Sequence, residues 1–238
     1  MSSILPTEFR GTNRLLAALS EEEYERLLPR AELVHIEKGE ILYIAGDMIE
    51  QIYFPLTGMV SLLSTTGSGA TIEVAMVGSE GVVGLPVVMS IDKTPYEVMV
   101  QMAGDAIRTR ANEAREEFNR GGRLHDLMLR YTHALITQIS QSAVCNRFHS
   151  VEKRLCRWLL IARDCINSNT IDLTQETIAH MLGIPRTGVT MAAGSLQRAG
   201  LIRYSRGKIV IINHEKLRAS SCECYEIIKE EIDNFLAS

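Results

Sequence analysis

The chain has no apolar run long enough to span a membrane, and its first residues lack a basic stretch followed by an apolar core. Neither insertion nor export is therefore expected. Its 5 cysteines are odd in number and follow no framework spacing, so a reduced, cytoplasmic location is expected. No nucleophile–base pair and no catalytic metal spacing is present, which argues against an enzyme. What is there is globular material: 238 residues, 46% apolar and 23% charged, with room for two modest domains.

Charge is distributed unevenly. Residues 149–220 hold 11 Lys and Arg against 5 Asp and Glu, whereas residues 1–148 hold 13 against 19 and residues 221–238 hold 1 against 5. A basic island inside an acidic chain of net charge −4 is what neutralising nucleic-acid phosphates requires, although a solvated charge face reads the same way.

Within that island, Leu173 to Ile202 predicts two short helices joined by a tight turn, followed by a basic hairpin over Tyr204 to Ile212. Thr174 stands at an N-cap position and Gly183 at a left-handed helix stop. Pro185 falls near the first turn of the second helix, where a missing N–H costs nothing. In that helix Val189, Ala192, Ala193 and Leu196 share one side. Thr187, Thr190, Met191, Gly194 and Arg198 share the other, with Arg186 flanking. An ordinary helical hairpin has the same pattern. The basic hairpin beyond it favours a winged helix-turn-helix, which lays a helix in the major groove of DNA.

Residues 31–107 have β character, with glycines punctuating short runs such as Glu40–Ile44, Val60–Ser64 and Thr71–Met76. Ahead of them Ser20-Glu21-Glu22-Glu23 is a capping box opening a helix through Leu28. After Gly121-Gly122 a long helix is expected, with Leu124, Met128, Tyr131 and Leu135 at 3/4 spacing. That stripe fits a two-stranded seam between subunits and fits equally a helix packed on its own β domain. Ser150 can cap a further helix, Val151–Ile166, with Leu155, Trp158, Leu159 and Ala162 inward. The acidic tail Tyr225–Ser238 reads as an amphipathic helix through Ile227, Ile228, Ile232 and Phe235.

In this order (β-roll, long helix, winged helix-turn-helix) the chain resembles the cyclic-AMP receptor protein/Fnr family of bacterial transcription regulators. The resemblance runs from about Asn13 to Asn213 and is strongest over Leu173–Ile212, with Leu182-Gly183 through Leu201-Ile202 matching the family's turn and recognition helix. It implies an α+β fold: a cyclic-nucleotide-binding-like sensor at 1–122, a dimerisation helix at 123–149, a DNA-binding domain at 150–213 and a helical extension at 214–238. It also implies a homodimer paired through Leu124, Met128, Tyr131 and Leu135 on palindromic double-stranded DNA, with RNA polymerase as a further partner and no membrane.

The departures carry information. Nucleotide-binding members have Gly-Glu-x-Gly followed by an Arg-Ser pair, where this chain has Gly81-Val82-Val83-Gly84 and Thr94-Pro95. Val82 replaces the carboxylate expected on the ribose, and Thr94 replaces the guanidinium expected on the phosphate. Threonine offers no bidentate fork, and Lys93 supplies charge without one. Cyclic AMP is not the expected effector, and the effector stays open. An iron–sulphur cluster of the Fnr kind is not expected, because the first cysteine is Cys145. Haem bound through His35 stays open beside a structural role. Cys222 and Cys224, with His214 or Cys156, can hold a soft metal, form a redox pair or simply pack.

The expected DNA contacts are Thr174, Gln175, Pro185, Arg186, Thr187, Thr190, Met191, Ser205, Arg206 and Lys208. Arg186 reads guanine, Thr187 and Met191 suit thymine methyls or act through water, and the helix start and wing hold phosphates. Gly188 and Gly194 each cost roughly 1 kcal/mol of helix propensity. The rival reading is a ligand, metal or redox sensor acting through protein contacts, its helix-turn-helix merely structural.

Overall fold

The computed structural model describes residues 11–236. The first ten residues of the expected sensor domain and the last two of the expected tail helix lie outside them.

Short N-terminal helices α1 (Arg14–Ala17) and α2 (Glu21–Leu27) precede the β-roll. The capping box is formed: Glu23 N–H donates to Ser20 Oγ at 3.2 Å, and Ser20 N–H donates back to Glu23 Oε2 at 3.2 Å. Asn13 is fully buried and pins α1 to the roll, its Nδ2 donating to Pro55 O and Gly81 O at 2.9 Å each.

The roll is built of β1 (Ala31–Ile36), β2 (Ile41–Tyr43), β3 (Gln51–Pro55), β4 (Met59–Thr65), β5 (Thr71–Val77), β6 (Glu97–Met102) and β7 (Gly104–Arg110). They pair antiparallel into two sheets, β1-β7-β3 and β2-β6-β4-β5. Inward-facing Ile36, Ile52, Phe54, Val60, Val98 and Ile107 form their common core. Each apolar run expected as a strand is one, because branched and aromatic residues pack well on a half-buried pleat.

Helix α3 (Ala111–Asn119) leads to α4 (Arg123–Phe148), 26 residues long, and α5 (Val151–Ile166) follows a break at His149. Ser150 caps α5 by accepting from Lys153 N–H at 3.4 Å. Leu155, Trp158, Leu159 and Ala162 face inward as expected. Then come β8 (Thr170–Ile171), α6 (Gln175–Leu182), α7 (Arg186–Arg198), β9 (Ile202–Ser205) and β10 (Lys208–Ile211). Two helices, α8 (His214–Ala219) and α9 (Glu223–Asn234), close the described chain. The fold is α+β: β-roll, long helix, winged helix-turn-helix.

The tail helix turns back onto α4 and α5. Ile228 and Phe235 are buried and Ile232 is half-buried, but Ile227 faces outward. Adjacent helical residues point roughly 100° apart, so a narrow buried stripe takes Ile228 and leaves its neighbour in solvent. Phe235 meets the ring of Tyr131 edge-on at 5.5 Å between centroids. Among the described residues no helix is long and apolar enough to cross a membrane.

Candidate nucleic-acid interface

Local chemistry builds the helix-turn-helix. Thr174 Oγ1 accepts from Thr177 N–H at 3.1 Å, satisfying one orphan donor of α6. Gly183 adopts φ +61° and ends that helix, and Ile184 N–H then reaches Ala179 O at 3.0 Å, the six-to-one bond of a Schellman stop. Pro185 supplies the extended residue before α7, at the N-cap rather than inside the first turn. Val189, Ala192, Ala193 and Leu196 bury the inner face against the core shared with α5 and α6.

The outer face of α7 is open. Arg186, Thr187, Thr190 and Met191 are all exposed, Met191 at 75%, the largest exposure among the exposed large apolar side chains of the described residues. Thr190 Oγ1 lies 2.7 Å from Gln175 Oε1 and 3.0 Å from Arg186 O, so its single proton ties α7 either to α6 or to its own preceding turn.

The wing is a two-residue hairpin. Arg206 and Gly207 both have positive φ, +49° and +78°, the pairing that a type I′ turn demands. Ser205, Arg206 and Lys208 stand exposed on it. Lys208 Nζ lies 3.4 Å from Asp172 Oδ1, an exposed pair whose attraction is weak enough to yield to a phosphate. Sequence reasoning missed Tyr204. Its hydroxyl accepts from Gln175 N–H at 3.3 Å while its own N–H donates to Gln197 Oε1 at 2.8 Å, so it joins wing, α6 and α7. Exposed Arg198 and Arg203 add cations to the same region, and Glu176 on the first turn of α6 opposes them.

Comparison with known proteins decides the matter. Residues 153–220 match the Crp-like helix-turn-helix domain and residues 33–120 match the cyclic nucleotide-binding domain. The chain is 26% identical over 184 residues to a global nitrogen regulator from Nostoc sp., covering 74% of this chain and 82% of that one. It is 23% identical over 211 residues to a global nitrogen regulator from Synechocystis sp., covering 84% and 93%. The fold is that of FixK2 from Bradyrhizobium japonicum, with TM-score 0.69 at 16% identity over 81% of this chain and 98% of that one. It is also that of a transcriptional regulator of the CRP family from Thermus thermophilus, with TM-score 0.65 at 16% identity over 79% and 96%.

The chain belongs to the Crp/Fnr family of transcription regulators.

Against that family's ligand cassette the sensor roll departs physically. Val82, Gly84 and Thr94 line a narrow cavity with Tyr43, Ile49 and Leu135, and among the described residues no Arg or Lys borders it. Thr94 is buried with its hydroxyl donating to Tyr96 O at 2.8 Å, and Tyr43 donates to Gln51 O. The cavity therefore offers a phosphate neither charge nor a free fork. The other two expected ligand residues lie elsewhere. Pro95 is exposed, and Gly81 is glycine because a Cβ there would overlap the ring of Tyr131.

The expected Crp/Fnr dimer seam is corrected. Leu124, Met128, Tyr131 and Leu135 are buried within a single chain, against the roll and α9. The stripe faces its own domain because Phe235 and the roll supply enough apolar surface to cover it. Leu129, Ile136, Val144 and Phe148 are the large apolar residues that α4 leaves exposed. His35 does not border the cavity. It is half exposed, its Nδ1 is 2.8 Å from Asp105 Oδ1, and that bond holds its pKa above the usual value.

The cysteines also regroup. Cys156 sits apart in α5, its thiol pushed up to about 12 by burial, and His214 Nδ1 lies 3.1 Å from Glu215 Oε1. Neither joins Cys222 and Cys224. Cys145 and His149, at the end of α4, do.

Proposed function

We propose that this regulator acts as a homodimer on palindromic DNA, with α7 in the major groove and the wing along the phosphates. The observation that carries the reading is the outer face of α7. Arg186, Thr187, Thr190 and Met191 stand exposed beside a type I′ wing whose tip carries Arg206. An apolar side chain as exposed as Met191 gains by meeting a thymine methyl, and Arg186 at the helix start suits the O6 and N7 of guanine. Thr174, Gln175, Ser205, Arg206 and Lys208 take phosphates, with Pro185 setting the approach of α7.

Pairing uses the outward face of α4. Leu129 and Ile136 are seven residues apart and roughly half exposed, the spacing of a left-handed two-stranded seam. The chain divides into a sensor at 1–122, the pairing helix, a reader at 150–213 and an extension at 214–238. Its effector is not a cyclic nucleotide, since no cation among the described residues borders the cavity at Val82 and Thr94. RNA polymerase is the partner through which such a regulator acts. Selection of bound duplexes from a random pool, followed by gel shift at low and moderate salt, tests the reading. A palindromic motif that keeps its preference as salt rises supports it; binding that vanishes without sequence preference contradicts it.

A further inference from the structure

Cys145 and His149 stand four residues apart at the C-terminal end of α4, on one face of the helix. Cys222 is the N-cap of α9 and Cys224 lies in its first turn. The topology brings these two ends together although 77 residues separate Cys145 from Cys222. One ligand atom from each of the four residues lies within 4.8 Å of all the others. Cys145 Sγ is 3.5 Å from Cys222 Sγ, and Cys224 Sγ is 3.6 Å from His149 Nδ1. All three thiols are buried, and the His149 side chain is only 13% exposed.

Those spacings suit one small ion. Tetrahedral zinc, with bonds of about 2.3 Å to sulphur and about 2.0 Å to nitrogen, sets neighbouring donors roughly 3.3–3.8 Å apart. A multi-iron cluster would spread its cysteine sulphurs farther than these lie. Two features beyond the donors point the same way. His149 turns Nδ1 to the sulphurs and Nε2 to Glu223 Oε1 at 3.2 Å, the carboxylate pairing that fixes the tautomer of a metal-bound imidazole. Arg157 is 4% exposed, its Nη1 donates to Ser142 Oγ at 3.3 Å, and its Nε has no partner among the described residues. A buried guanidinium beside this cluster balances the net single negative charge of a divalent ion held by three thiolates.

We propose that Cys145, His149, Cys222 and Cys224 bind one zinc ion in a site of three thiolates and one imidazole that clamps the C-terminal extension to the junction of α4 and α5. On binding, each thiol releases its proton to solvent as sulphur bonds the metal. Neutral His149 gives the lone pair of Nδ1 and keeps its Nε2 proton toward Glu223, and no electron is transferred. Because Ser150 starts α5 directly after His149, the ion fixes the joint through which the sensor roll and central helix meet the DNA-binding helices.

The test uses the full chain purified under reducing conditions without chelator. Elemental analysis should give one zinc per chain, and X-ray absorption at the zinc edge should give three sulphurs and one nitrogen. Cobalt(II) in its place should show tetrahedral d–d bands with thiolate charge transfer. Cys222→Ser and Cys224→Ser should lose the ion, while Cys156→Ser, a buried thiol outside the cluster, should retain it. Glu223→Gln should keep the fold and weaken zinc by about 10–100-fold in competition with a chelator. Chelation of the wild type should speed amide exchange across residues 222–234. Wild-type protein that holds no zinc after loading and desalting would overturn the assignment. So would iron with acid-labile sulphide, a Cys145–Cys222 disulfide that persists through the reducing purification, or loss of the ion from a folded Cys156→Ser variant.

Discussion

Trp158 Nε1 donates a 2.6 Å hydrogen bond to Glu73 Oε1, joining the helix before the DNA-binding motif to β5 of the β-roll. Ser61 donates to the other oxygen. Gln138 of α4 adds a second tie to the same strand, accepting from Met76 N–H at 2.6 Å and donating to Met76 O at 3.2 Å. Strand β5 is therefore tied by side-chain hydrogen bonds to both α4 and α5.

Burial pushes Glu73 up to about 7 despite its two donors. The folded chain thus holds a proton that the unfolded chain loses near 4.5, so the folded state gains at low pH. Stability falls as pH rises from about 4.5 to about 7 and is flat above, by roughly 3 kcal/mol at about 1.36 kcal/mol per unit. Glu73→Gln keeps an acceptor for Trp158 without the charge. It should match wild type near pH 5 and exceed it by roughly 1–3 kcal/mol near pH 8. Urea denaturation at the two pH values checks this; an unchanged wild-type slope in the variant would contradict it.

Glutamates at Leu129 and Ile136 should separate the dimer without unfolding the chain. Both side chains are about half exposed, so the monomer tolerates charge there while a paired seam sets like charges face to face. Tyr131→Glu should instead unfold the sensor, because it buries an unpaired carboxylate at a cost of several kcal/mol. Sedimentation together with circular dichroism distinguishes the two outcomes. A Leu129→Glu/Ile136→Glu protein that stays dimeric would move the interface elsewhere.

Cyclic AMP and cyclic GMP should give no binding heat at physiological concentrations. Among the described residues no cation borders the cavity by Val82 and Thr94, and the Thr94 hydroxyl is already engaged. Micromolar affinity in a calorimetric titration would contradict this.

The elements marked by local signals are legible in the sequence. Ser20, Ser150, Thr174 and Gly183 cap helices through bonds to residues three or four positions away, so the chain announces those ends within one turn. The winged helix-turn-helix follows from them nearly residue by residue. What is not legible depends on distant partners. Both faces of α4 carry apolar residues, and only the folded roll and the return of Phe235 show that Tyr131 is on the covered one. Cys145 and His149 meet Cys222 and Cys224 through the same return, which no spacing along the chain encodes. Tyr204 reads as one more hairpin aromatic, and only the folded chain sets its hydroxyl on the α6 terminus.

In the proposed complex α7 reads bases while the wing supplies affinity. Arg186→Ala should cost roughly 1–3 kcal/mol on a selected palindrome and relax preference at one position of each half-site. Arg206→Ala and Lys208→Ala should weaken specific and scrambled duplexes alike, and each should lower the salt slope by about one unit. The most direct measurement is the ratio of specific to scrambled affinity for Arg186→Ala across a salt series. A ratio that collapses while the salt slope changes little is the predicted result. A ratio equal to that of wild type would show that α7 does not read the sequence.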